Sequence, residues 1–172
     1  GPQVTRVATS SDGIDFDGHP EILGRPYFRA FQHDNFTYAL AMPGVMYRSR
    51  TGLTDFEEGP NLFNPDMRHS ALLKRGNRLF VFWTERNDAP ERIYVSHIDL
   101  STEWKTWTRS NPIEVLRAEF PWEGSDLPVE PSRGGSINVP VNQIRDPAIY
   151  EEDGRVYLLY AVAGERGISL AE

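Results

Sequence analysis

Short runs rich in apolar, aromatic and β-branched residues recur along the chain in pairs, each pair split by a polar turn of four residues. The clearest pair is Arg145-Asp146-Pro147-Ala148-Ile149-Tyr150 and Arg155-Val156-Tyr157-Leu158-Leu159-Tyr160, joined by Glu-Glu-Asp-Gly. Arg68-His69-Ser70-Ala71-Leu72-Leu73 and Arg78-Leu79-Phe80-Val81-Phe82-Trp83 flank Lys-Arg-Gly-Asn with the same ten-residue step from first Arg to second. A third copy, Pro26-Tyr27-Phe28-Arg29-Ala30-Phe31 and Phe36-Thr37-Tyr38-Ala39-Leu40-Ala41 around Gln-His-Asp-Asn, keeps the spacing and lacks the arginine at both aligned positions. Paired runs of this composition around a short polar turn predict β-hairpins.

A third strand follows each hairpin: Val45 to Ser49, Ile93 to Ile98, and Gly167 to Ala171. Turns leading to aromatics come after third strands, at Asp12-Gly13-Ile14-Asp15-Phe16, Gly52-Leu53-Thr54-Asp55-Phe56 and Glu103-Trp104-Lys105-Thr106-Trp107, and these aromatics are expected on a fourth, outer strand. Four antiparallel strands per repeat of roughly 40 to 50 residues predict propeller blades. The expected fold is an all-β β-propeller of four-stranded antiparallel blades, incomplete within this chain. The blades are expected at residues 1–20 (partial), 22–63, 66–120 and 143–172 (partial). Residues 57–66 read as a turn-rich crossing, and Ile113 to Phe120 as a turn or two of helix at most. Residues 121–142 form a connection too long for an ordinary loop of a compact β domain, which marks it as functional or disordered. Its Trp122, Glu123, Asp126, Glu130 and Arg133 suit sugar binding through stacking and charged hydrogen bonds; the alternative is a solvated crossing with Trp122 packed on a blade edge.

Composition changes this picture mainly by exclusion. The 172 residues are 39% hydrophobic and 12% aromatic, enough for a core, and thirteen prolines and fourteen glycines cut the chain into short elements. A net charge of −7 without basic runs argues against a nucleic-acid or anionic-membrane partner, since either needs clustered Lys and Arg. No apolar stretch reaches the roughly 18 residues that span a bilayer, and no signal-peptide core is visible. There are no cysteines, and His19, His33, His69 and His97 lack metal-ligand spacing, so no metal or cofactor is expected.

The segment from Ile144 through Tyr160, with its Arg145-Asp146-Pro147 start and Gly154-Arg155 turn, resembles a blade opening of the five-bladed β-propeller glycoside hydrolases, the superfamily of arabinanases, β-xylosidases and invertases. Ser10-Ser11-Asp12-Gly13 with Phe16 resembles their blade endings, and also those of six-bladed sialidase-type propellers. The resemblance implies a central funnel where carboxyl groups act on glycosidic bonds, one as proton donor and one as base or nucleophile. It gives Asp146 a third role, stabilising the transition state by holding substrate hydroxyls and tuning the acid, with Arg145 keeping it ionised. Arg145, His69, Arg68, Tyr27, Trp122 and Glu130 are the expected substrate contacts. A rival reading makes Asp146 a turn cap before Pro147, and Arg68 and Arg145 bridges between blades.

The aligned positions in the other repeats carry His69 and Tyr27, so the expected second carboxylate is missing there. Asp66 and Glu85 are the nearest acidic substitutes, and the general acid of the family would fall on a later blade. An unclosed propeller exposes strand edges. The chain is therefore expected to be a fragment of a longer protein, to close by homodimerisation into a ring of about six blades, or to be a small open propeller. The functional expectation is a carbohydrate-active propeller acting on or binding an oligosaccharide; the alternative is a non-catalytic module binding glycan or protein. A hydrolase of this kind would be extracellular or periplasmic.

Overall fold

The computed structural model describes residues 2–172. It is all-β, with strands β1 (Ala8–Thr9), β2 (Asp17–Gly18), β3 (Arg29–His33), β4 (Phe36–Ala41), β5 (Val45–Ser49), β6 (Glu57–Asn61), β7 (Met67–Arg75), β8 (Arg78–Glu85), β9 (Ile93–Asp99), β10 (Ile113–Leu116), β11 (Arg145–Glu152), β12 (Arg155–Val162) and β13 (Gly167–Ala171). They form four antiparallel meanders: β1-β2, β3-β4-β5-β6, β7-β8-β9-β10 and β11-β12-β13. The first strands of successive blades lie side by side, β3 against β7 and β7 against β11, and among the described residues the sheets do not close into a ring.

Alternation along the strands explains why blades stack rather than float. In β4, Tyr38 and Leu40 enter a core shared with Leu79, Val81 and Trp83 of β8, while Ala39 and Ala41 turn to the opposite face with Val45 and Tyr47. In β8 the opposite face carries Phe82 against Ile93, Ile144, Leu158 and Tyr160. The middle strand β8 is apolar on both faces because each face belongs to a different inter-blade core, whereas the second face of β4 packs within its own blade. The polar turns hold themselves together. Ser10 Oγ accepts the Gly13 N–H at 2.8 Å, and Asp12 Oδ1 accepts the N–H groups of Ile14 and Asp15 at 2.9 and 3.0 Å. Ser49 and Thr51 reproduce this wiring one blade later, with Ser49 Oγ accepting from Gly52 N and Thr51 Oγ1 from Thr54 N.

Three local expectations are corrected. Ile113–Leu116 is strand β10, the outer strand of its blade, because it pairs with β9 at Val95, Tyr94 and Ile93 instead of forming helix. Glu57–Asn61 is outer strand β6 and not a crossing. The aromatics do not sit on outer strands: Phe16 and Phe56 each precede one by a residue. Trp104 begins a 3₁₀ turn, and it and Trp107 are buried in the inter-blade core. That core takes both indoles because two large apolar side chains gain more by burial than a strand edge offers.

Candidate functional site

The cleft is built on one backbone irregularity that recurs. In β7 the ladder steps from Arg68 opposite Thr84 to Ser70 opposite Trp83, leaving His69 as an extra residue. In β11 it steps from Arg145 opposite Ala161 to Ala148 opposite Leu159, leaving Asp146 and Pro147 facing a single position. Such bulges re-aim a side chain at the end of a strand. Tyr27, His69 and Asp146, the three equivalent positions of the repeat, all adopt the left-handed conformation with φ of 63°, 45° and 52°. That conformation is uncommon for residues other than glycine, and its recurrence at one repeat position points to function rather than accident.

All three side chains line a single cavity of about 660 Å³, together with Arg68, Arg86 and Glu165 and a rim formed by Gly134, Gly135 and Ser136. His69 Nδ1 lies 3.1 Å from Asp146 Oδ1 without the alignment of a hydrogen bond. The Tyr27 and His69 rings meet edge to face, their centroids 6.2 Å apart. Burial, with the positive charge of Arg68 next, pushes the His69 imidazole down from 6.5 to about 4, so it is neutral near pH 7. Burial also raises Asp146 above the usual carboxylate range and outweighs the opposing charge of Arg145. Arg145 opposes this rise as expected, but desolvation in the cleft wall is the larger effect on Asp146.

The two arginines that open the repeats lie beneath the cleft. Arg68 is 3% and Arg145 1% exposed, and both converge on Glu91, which is fully buried. Arg68 donates from Nε and Nη2 to the two Glu91 oxygens at 2.9 and 2.5 Å, and Arg145 Nη2 lies 3.2 Å from Oε2. Arg145 also bonds the Gln143 side chain and, at 3.0 Å, Glu165 Oε1. Arg145 bridges to the neighbouring blade through Glu91, as the rival reading of the sequence had it, whereas Arg68 meets Glu91 within its own blade; Arg68 also contributes to the cavity wall, and Arg145 does not line it. Trp122 and Glu130 are exposed and outside the cavity lining. Asp66 pairs with Arg86 at 3.0 Å, and Glu85 accepts from Asn64 Nδ2 at 3.1 Å.

Glu165 is the cleft carboxylate that sequence reasoning missed. It lies in the turn between β12 and β13, where the repeat has lost its regularity, so alignment of the hairpins does not reach it. The long loop is ordered by specific bonds. Ser132 donates from its N–H to Asp88 O at 2.9 Å and from its hydroxyl to Glu85 O at 3.2 Å, which fixes the Gly134–Gly135 rim over the second full blade.

Stacked antiparallel blades, with a phenol, an imidazole and a carboxyl group at one repeat position lining one cleft, define a β-propeller fold that stays open among the described residues. No family model matches the chain. It is 38% identical over 183 residues to an uncharacterized protein of Acanthamoeba polyphaga mimivirus, covering 96% of this chain and 51% of that protein. The chain thus spans about half the length of this curated relative. Its structure is similar to that of a thermostable family-43 glycoside hydrolase, with a TM-score of 0.64 at 13% identity, over 91% of this chain and 55% of the other. It is similar also to β-1,2-mannobiose phosphorylase from Listeria innocua, with a TM-score of 0.63 at 12% identity, over 97% and 48% of the two chains. For α-L-arabinofuranosidase from Lactobacillus brevis the TM-score is 0.51 at 13% identity, over 88% and 51%. At these identities the likeness is one of fold, and it bears out the propeller relationship suggested by the Arg-Asp-Pro repeat.

Proposed function

We propose that the cleft between the first strands binds an oligosaccharide, with Asp146, Glu165, His69 and Tyr27 as its ligand-facing groups. The observation that carries this reading is the shared left-handed geometry of Tyr27, His69 and Asp146 at one repeat position facing one cavity. The three similar folds, all of carbohydrate-acting proteins by name, support the ligand class. Chemically the groups are complementary. A neutral imidazole offers one donor and one acceptor, a carboxyl raised by burial offers a proton or accepts a hydroxyl, and the phenol supplies a face and a hydroxyl.

Glu165, held by Arg145, gives the cleft a second carboxyl group, as cleavage of a glycosidic bond requires. A second reading, binding of glycan or protein without turnover, is favoured by Tyr27 and His69 standing where the repeat would otherwise place carboxylates. Titration calorimetry against a panel of oligosaccharides, paired with aryl-glycoside hydrolysis, tests both. Asp146→Asn should weaken oligosaccharide binding by about tenfold or more, the loss of one charge-assisted hydrogen bond. Equal affinity of wild type and variant would refute the cleft assignment. Hydrolysis lost in Asp146→Asn and Glu165→Gln would favour the enzyme, and binding without hydrolysis the module.

A further inference from the structure

The long loop opens on an aromatic surface that the cleft does not use. Phe120 and Trp122 are 53% and 55% exposed. Their rings lie parallel, the planes 5° apart and the centroids 5.5 Å apart. Large apolar rings held together in water mark a contact site more often than a lone exposed residue does.

The chain fixes this pair in place from below. Glu123, 3% exposed, accepts the N–H groups of Glu119 and Phe120 with Oε2 at 2.8 and 3.1 Å, and the Tyr160 hydroxyl with Oε1 at 2.8 Å. Its own carbonyl accepts the Ala163 N–H at 2.9 Å. Gly124 follows with φ of +94° and packs so closely on Val141 O that a Cβ would lie 2.5 Å away. A buried carboxylate is thus devoted to holding a turn whose outward side chains face solvent. Burying a charge is costly unless every bond is made, and here the bonds rigidify the aromatic turn.

Size and charge select the occupant. Two half-exposed rings offer roughly 200–250 Å² of apolar surface. A stable protein partner needs about 800 Å² per side, so the patch is too small for one and matches a sugar ring or two. Glu119 and Asp126, adjacent in the chain and exposed, have no side-chain partner among the described residues and are available as acceptors for hydroxyls. Their charge disfavours an anionic chain. We propose that Phe120 and Trp122 form a second glycan site, outside the cleft, that stacks on a neutral polysaccharide.

The test is affinity electrophoresis of the folded chain through gels containing soluble neutral polysaccharides, with polygalacturonate as the anionic control. Trp122→Ala and Phe120→Ala should each lower retention by about threefold to tenfold. In the Asp146→Asn background Trp122→Ala should lower the remaining retention by the same factor, which separates this site from the cleft. Unchanged retention in Trp122→Ala would overturn the proposal, as would an effect of Trp122→Ala that disappears in the Asp146→Asn background, retention by polygalacturonate alone, or no retention by any neutral polysaccharide. Circular dichroism of each variant confirms that retention is compared between folded proteins.

Discussion

Glu91→Gln removes one negative charge from a place where two arginine guanidinium groups, 3% and 1% exposed, have it in common. The amide keeps the size and one acceptor oxygen, so packing is preserved while electrostatics change. Breaking a buried ion pair by neutralising one partner costs about 3–5 kcal/mol, because the remaining charge is left desolvated. Two charges are left here, and only Arg145 has a further carboxylate, the part-exposed Glu165. Against a total stability of about 5–15 kcal/mol, a loss near 4 kcal/mol is a large fraction. For a chain of this length it corresponds to a fall in Tm of roughly 8–16 °C. Urea denaturation followed by tryptophan fluorescence measures the loss, and because the cluster is buried the difference should change little between low and high salt. The triple variant Arg68→Met, Glu91→Leu, Arg145→Met separates charge from shape: it should regain most of the stability lost in Glu91→Gln. A Glu91→Gln protein within about 1 kcal/mol of wild type would refute the argument that this carboxylate joins the blades.

Two further outcomes are expected. His69 has its folded pKa lowered from 6.5 to about 4, so between those pH values the unfolded chain takes up a proton that the native cleft does not, and stability falls as pH falls. His69→Asn, which tolerates the left-handed backbone and does not titrate, should flatten that acid limb by about 3 kcal/mol; an unaltered difference between denaturation at pH 7 and at pH 4 would contradict it. Asp146 acts in the opposite sense, its raised folded pKa withdrawing stability as pH rises through it. Gly44 has φ of +103° and would place a Cβ 2.5 Å from Phe63 Cβ, whereas Gly76, at φ of +56°, has open space around it. Gly44→Ala should lower the denaturation midpoint by more than about 2 kcal/mol of stability and Gly76→Ala by about 1 kcal/mol; equal losses would remove the steric argument.

The ten-residue step between paired arginines was enough to align Tyr27, His69 and Asp146, because hairpin length is set by local turn chemistry that composition records. The bulges that aim His69 and Asp146 left no such mark, since a bulge is a shift of register between two strands and appears only when both are placed. The same limit hid Glu91 and Glu165, which lie on turns outside the aligned hairpins; Glu165 meets Arg145 when its own blade forms, Glu91 only when two blades pack. Two arginines at one repeat position were nonetheless a usable signal: buried together, they require a shared acid. Trp104 and Trp107 misled for a related reason. Aromatics after a turn suit an outer strand and a core equally well, and the wedge between two blades decided for the core.

The recurrent left-handed residue at the head of each first strand has an evolutionary consequence. Because the ladder steps around His69 and Asp146 set the backbone there, exchanging either side chain alters what the cleft presents while leaving the strand pairing in place. The three positions behave as sockets of one backbone design fitted with different chemistry, and single substitutions there change the groups the cavity presents. Tyr27, at φ of 63°, carries the bulkiest of the three side chains in a conformation that suits glycine, and Tyr27→Gly should relieve that strain and leave an emptier socket.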